Sequence, residues 1–261
     1  MTVRLDEMTW PEVKGALSKP HAVILPLGST EEHGYHMPLF TDSFAATYIS
    51  EQAARQVMEG HDMCIMVAPT IDYTDVSLHK TFPGTIGVKV ETLINVVVDI
   101  VESFLDQGFK NVIAMNGHLQ NNCSIEAAFR IINSRRPEAN IFAVCSVLGL
   151  GFEAMPGLVK AGKEGMGHAL EVETSCALVM HPEKVCLDKA RIGSRALPIS
   201  EKYIGPNGEL RSRGVIFCPP RGSHDETGTG GNPNMACVET GEKVLTAIIN
   251  DLADIIVQVV G

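Results

Sequence analysis

Fourteen residues, Ser29-Thr-Glu-Glu-His-Gly-Tyr-His-Met-Pro-Leu-Phe-Thr-Asp42, carry Glu31, Glu32, His33, His36 and Asp42. These are the nitrogen and oxygen donors that bind divalent cations. Two carboxylates flanking a histidine suggest a metal site, with room for two metals if one carboxylate bridges. Gly34 and Pro38 prevent a single regular helix, so the donors sit on a loop. Two further clusters repeat the chemistry: Asn116-Gly-His118, and His168-Ala-Leu-Glu-Val-Glu-Thr-Ser175 with Glu171 and Glu173. Each has an ordinary explanation alone: a solvated loop, a hydrogen-bonded histidine, or acidic residues in a first helical turn. Three together favour a metal centre.

The surrounding elements explain how such donors would meet. Ala22–Leu27 reads as a buried strand closed by Gly28, and Met63–Ala68 as a second. Asn111–Met115 and Asn140–Leu148 read as a third and a fourth. Helical spacing covers Leu5–Ser18, Ser43–Val57 (with Asp42 as a candidate cap), Glu91–Gln107, Ser124–Ser134 and Val238–Val259. A long loop, Thr70–Gly87, carries His79. Alternating strands and helices predict an α/β fold, a three-layer α/β/α sandwich on a mostly parallel sheet. In such sheets ligands gather at the carboxyl ends of strands. Glu31 and His118 both follow predicted strands. If the helix near residue 168 already includes His168, then His168 and Glu171 share a face and Glu173 turns away.

A length of 261 residues fits one domain spanning 1–261. With 45% hydrophobic residues, a sizeable core is expected. A net charge of −10 argues against nucleic acid or anionic membrane as partner. No stretch is apolar enough to span a bilayer, and Met1–Asp6 lacks a signal-peptide core, so a cytoplasmic location is expected. Seven cysteines without a Cys-x-x-Cys pair read as reduced. The segment 186–235 is irregular and rich in Gly, Pro and Arg, which points to function or subunit contact.

The motifs Gly28-Ser-Thr-Glu-Glu-His-Gly-x-His-x-Pro-x-x-Thr-Asp42, Phe82-Pro-Gly-Thr85, Asn116-Gly-His118 and His168-Ala-x-Glu-x-Glu-Thr-Ser175 resemble, in order and spacing, those of the creatininase family. The resemblance implies a Rossmann-like α/β/α fold, two divalent ions (zinc, manganese or iron) and usually a homohexamer. Carried over, it implies Glu31, Asp42 and His118 on one metal, and His33 with bridging Asp42 on the other. In creatininase the last ligand is a Glu two residues after the motif histidine. Here that position is Gln120, so Glu171 is the expected ligand, with Leu170 standing where the motif has Gly. His168 matches the catalytic histidine.

Such a metal pair would make hydroxide from a shared water at neutral pH and polarise a carbonyl for attack. A neutral His168 could then shuttle the proton to the leaving nitrogen. The expected activity is amide C–N hydrolysis on a small, polar, cyclic substrate. Relatives that open formamidopyrimidine nucleotides, cleave a peptide, or hydrolyse a keto-inositol C–C bond supply alternatives, and a non-catalytic metal-binding scaffold is a third class. Creatinine itself is not expected. Creatininase walls its flat ring with tryptophans, whereas the only one here is Trp10 and the matching region reads Val147–Phe152. Gln120 and His79 are the expected substrate-binding groups. Arg191, Arg195, Arg211, Arg213 and Arg221 are equally suited to an anionic substrate or to subunit contacts.

Overall fold

The computed structural model describes residues 2–145, 150, 155–194 and 224–261. Its elements run α1 (Trp10–Ala16), β1 (His21–Leu27), α2 (Thr41–Gly60), β2 (Cys64–Val67), α3 (Val90–Asp106) and β3 (Asn111–Asn116). They continue with α4 (Asn122–Arg135), β4 (Asn140–Cys145), α5 (Met155–Leu158), α6 (Glu171–Met180) and α7 (Val238–Val260). The four strands pair in parallel in the order β2-β1-β3-β4.

Strand periodicity divides the core in two. Ala22 and Ile24 of β1 face one cluster with Ile49 and Ala53 of α2, Val172 and Cys176 of α6, and Val244, Ile248 and Leu252 of α7. Val23, Leu25 and Leu27 face the other, with Leu93 and Val97 of α3 and Ile125 and Phe129 of α4. Because β1 is buried on both faces, its sequence reads as one apolar run rather than as an alternation. The result is the expected three-layer sandwich. Truncating a residue such as Ile24 to alanine would cost about 2–5 kcal/mol.

The chain leaves β1 to one side for β2 and to the other for β3. This reversal opens a crevice beyond the carboxyl ends of β1 and β3, where open α/β sheets bind ligands. Two glycines bring α2 to that crevice. A Cβ on Gly28 would collide with the Ser43 backbone, and one on Gly117 with the Asp42 carbonyl. Gly117 is therefore needed for close approach to α2, not for a left-handed turn.

Several boundaries differ from the sequence reading. The expected helix Leu5–Ser18 is a 3-10 turn, Leu5–Glu7, followed by α1, which starts at a Thr9/Glu12 capping box with Pro11 in its first turn. Asp42 lies inside the first turn of α2 and caps nothing with its side chain. Helix α6 starts at Glu171, leaving His168 outside it. The fourth strand is described to Cys145; residues 146–148 of the expected strand lie outside the described residues. In the segment 186–235, the described residues hold only a 3-10 turn, Leu187–Lys189, as regular structure. Arg195, Arg211, Arg213, Arg221 and Phe152 lie outside the described residues. Cys64, Cys123, Cys176, Cys186 and Cys237 are free, with Cys64 and Cys176 buried and Cys123 and Cys186 exposed.

Candidate metal centre

Three segments converge in the crevice: the loop after β1, the turn after β3, and the approach to α6. From the loop and α2 come Glu31, His33 and Asp42; from the turn comes His118. Glu31, Asp42 and His118 form one compact group of donor atoms, and His33, Asp42 and Glu173 form another. Asp42 belongs to both. Its Oδ1 lies 3.0 Å from His33 Nε2, and its Oδ2 lies 2.9 Å from His118 Nδ1. Glu31 Oε1 is 3.1 Å from His118 Nδ1, and Glu173 Oε2 is 3.8 Å from His33 Nε2.

Surrounding groups fix the orientation of these donors. The second nitrogen of each histidine meets a carbonyl: His33 Nδ1 the oxygen of Glu31 at 3.2 Å, and His118 Nε2 that of Asp75 at 3.0 Å. Donating there leaves His33 Nε2 and His118 Nδ1 as lone-pair donors toward Asp42, an arrangement characteristic of metal-binding histidines. Ser29 Oγ donates to Asp42 Oδ2 at 2.8 Å.

Both the donor set and the electrostatics fit divalent cations. Glu31 is fully buried, and among the described residues its oxygens make no well-aligned hydrogen bond, only the 3.1 Å approach of His118 Nδ1 to Oε1. A buried carboxylate so sparsely partnered carries a heavy desolvation cost unless a cation meets it. Without ions, protons take the cations' place. Burial opposes charge on His33, but Asp42, with Glu173 and Glu31 behind it, outweighs burial and lifts this histidine to about 10. Burial likewise opposes charge on His118, and Glu31 and Asp42 hold it well above the usual imidazole range. Burial works against the Asp42 carboxylate too, but His33 and His118 keep it well below its usual value. Burial pushes the Glu173 carboxyl up. The cluster is thus built to surround positive charge.

His168 stands beside the two groups. Its Nδ1 lies 3.6 Å from Glu31 Oε1, and its Nε2 lies 3.0 Å from Glu32 Oε1. The same Glu32 oxygen meets His79 Nδ1 at 2.8 Å, while Gly34 N–H donates to Oε2 at 2.9 Å. Burial disfavours the Glu32 carboxylate, yet His168 and His79 hold it far below the usual carboxylate range.

Of the residues expected from sequence, Glu31, His33, Asp42, His118 and His168 come together, and Glu171 does not. Its carboxylate is turned back onto the backbone, accepting from the N–H groups of Lys160 and Ala161 at 2.8 Å each. Glu173 stands in the crevice instead. The two glutamates face as they do because α6 begins after His168: Ala169 takes a left-handed φ of 54° and its N–H donates to Glu173 Oε2 at 2.7 Å. With His168 before that bend, helical spacing from it no longer says which glutamate faces it.

The two expected substrate groups are otherwise engaged. His79 is 2% exposed and spends Nδ1 on Glu32, while Gln120 Oε1 lies 3.4 Å from both Ser77 Oγ and Leu78 N. The sequence placed Glu32 and Glu173 in clusters of metal-type donors without assigning either to an ion, and it passed over His224, which stacks on His79 with ring centres 4.8 Å apart. Glu32 was legible as a metal-type donor within the first motif, and Glu173 as the second acid of the third.

The family model for creatininase (creatinine amidohydrolase) matches residues 6–256. The mycofactocin precursor peptide peptidase of Mycolicibacterium smegmatis is 29% identical, covering 89% of this chain and 83% of that protein. The 3-dehydro-scyllo-inosose hydrolase of Thermotoga maritima is 26% identical over 97% of this chain and 82% of its own. The creatinine amidohydrolase of Pseudomonas putida is 27% identical over 72% and 75% respectively. A crystal structure of creatinine amidohydrolase superimposes with a TM-score of 0.78 at 21% identity, covering 99% of this chain and 98% of the other. A manganese creatininase gives 0.77 at 21% identity, over 100% and 99%. These likenesses establish the fold.

Proposed function

The chain belongs to the creatininase family of hydrolases, and from that premise we propose that it is a two-metal hydrolase cleaving an amide C–N bond. Glu31, Asp42 and His118 would hold one ion and His33, Asp42 and Glu173 the other, with zinc, manganese or iron suited to the donors. The observation that carries this reading is the sharing of Asp42, whose two oxygens serve two separate donor groups. When bound, such a pair polarises a substrate carbonyl and brings the pKa of a water from near 16 towards ~7.

The protein's own part centres on His168. Glu32, accepting from Nε2–H, fixes the tautomer in which Nδ1 is the base facing Glu31 and the proposed ions. Nδ1 is then placed to take a proton from the attacking water and return it to the leaving nitrogen. His79 meets the same Glu32 oxygen, with Gly34 N–H on the other, and so supports that orientation.

The substrate reading draws on the residues beside the donors in the chain. With Gln120 and His79 engaged within the protein, the reasons for favouring a polyhydroxylated ring weaken. Exposed Tyr35, Tyr73, Ile86 and Leu119 follow or flank the loops that carry the donors, and they suit a substrate with apolar parts, such as a peptide. Peptide cleavage therefore stands as the second reading beside a small cyclic amide, ahead of a keto-inositol or a formamidopyrimidine nucleotide.

Lactams, hydantoins, N-formyl compounds, keto-inositols and short peptides, each assayed with and without chelator, test the proposal. Hydrolysis of an amide, lost on chelation and restored by divalent metal, is expected. Hydrolysis that survives complete metal removal would contradict it. Creatinine should be turned over with kcat/KM well below roughly 10⁴ M⁻¹s⁻¹. The exposed rings of Phe40 and Phe44, beside the half-buried Tyr48, support a homo-oligomer, a hexamer by family resemblance. A monomer in light scattering at micromolar concentration would refute that. Among the described residues no helix is long and apolar enough to cross a membrane, which is compatible with the proposed cytoplasmic location.

A further inference from the structure

We propose a third cation site, inhibitory in effect, built from Glu32, His79 and His168 and suited to a zinc-type divalent ion. It rests on the two-metal reading only because it shares His168 with that centre. Glu32 Oε1 lies 2.8 Å from His79 Nδ1 and 3.0 Å from His168 Nε2, and one donor atom from each residue falls within 4.8 Å of the others. These separations are close to those between Asp42 and its two histidines, 3.0 and 2.9 Å. The trio is therefore as compact as the groups proposed to hold the catalytic pair.

Two imidazoles and a carboxylate make the three-ligand set of many catalytic zinc sites, with a fourth position left for water. Ligands about 2.0–2.1 Å from a tetrahedral ion stand roughly 3.3 Å apart. The Glu32 oxygen would need to draw back from each histidine by only a few tenths of an ångström. Its surroundings hold it in place. Gly34 N–H fixes the second Glu32 oxygen, and the backbone of Gly228 packs so closely on Glu32 that a Cβ there would collide with the carboxylate. The ring of His224 lies 4.8 Å from that of His79 and 5.3 Å from that of His168, closing one side.

The two nitrogens of His168 face different neighbours: Nδ1 faces Glu31 at 3.6 Å, and Nε2 faces this trio. A neutral imidazole has one lone pair and one N–H. An ion accepting the Nε2 lone pair places the hydrogen on Nδ1 and removes the base that faces the proposed pair. Zinc in excess of the pair should therefore suppress hydrolysis without displacing either ion.

The test is a calorimetric titration with zinc chloride of protein already carrying its tightly held ions, followed by metal analysis. Wild type should bind one further equivalent. His79→Gln and Glu32→Gln should each weaken that equivalent by at least ~10-fold, the loss seen when even an outer partner of a metal site is removed. Both variants should keep the tightly held ions, which shows that they fold. No further equivalent in wild type, or one of unchanged affinity in both variants, overturns the proposal. The pair is counted before the titration and the third site is read from the variants, so the two readings fail separately.

Discussion

Replacing Glu173 and Glu171 by glutamine, one at a time, separates a metal ligand from a structural carboxylate two residues away. Glutamine at 173 keeps the shape and can still accept from Ala169 N–H through its carbonyl oxygen, so folding stability should change by less than about 1 kcal/mol. It removes one of three side-chain donors from the group with His33 and Asp42. Loss of an outer partner alone costs 10–100-fold in affinity. Loss of a direct carboxylate should therefore exceed ~100-fold, or about 2.8 kcal/mol at roughly 1.4 kcal/mol per decade. Glutamine at 171 should do the reverse. Glu171 is fully buried and receives two backbone N–H groups, one on each oxygen. The amide can accept only one and turns its own NH₂ on the other. One charge-assisted bond is lost and one weakened, about 2–4 kcal/mol in all. For a chain of this length that lowers Tm by roughly 5–10 °C. Metal analysis after dialysis against a metal buffer, with thermal melts on the same samples, reads both effects. Two ions retained in Glu173→Gln, with one lost in Glu171→Gln, would refute the assignment.

The ion-free protein should show a characteristic dependence on pH. His33, lifted to about 10 in the fold, adds stability that is complete below its unfolded value near 6.5 and is lost as pH rises through about 10. Asp42, held well below its usual value, adds stability above about 3.9 that is lost as pH falls. Melting temperature should thus peak between roughly pH 4 and 6.5, and loading metal at pH 7 should release protons from His33 and His118. Calorimetry in two buffers of different ionisation heat measures that release, and none at all would contradict the assignment. Gly117→Ala should lower affinity for both ions and cost about 1–3 kcal/mol, because the added methyl meets the Asp42 carbonyl and pushes the shared carboxylate away. Unchanged metal binding in a folded Gly117→Ala protein would count against Asp42 as the shared ligand.

The layers and the crevice were legible in the sequence because β1 and β3 are short apolar runs closed by glycine-containing motifs. Their burial on both faces leaves a distinctive continuous pattern. Glu31, His33 and His118 were readable for the same reason, since each lies on the loop just beyond a strand end, and Asp42 was readable as the last residue of the same motif, where it opens α2. The glutamates of α6 were not. Their facing depends on the left-handed Ala169 and on amides of Lys160 and Ala161 that lie ten or more residues earlier, neither of which leaves a periodic trace. The pairing of Glu32 with His79 spans 47 residues, with α2 and β2 between them, so no local pattern announced that His79 supports a carboxylate instead of facing substrate.

Anomalous diffraction from crystals of the metal-loaded protein and of Asp42→Ala, grown without excess metal, tests the shared-carboxylate centre most directly. Two peaks per chain are predicted for wild type, one among Glu31, Asp42 and His118 and one among His33, Asp42 and Glu173, with both lost in Asp42→Ala. A single peak in wild type, or two peaks surviving in Asp42→Ala, would contradict it.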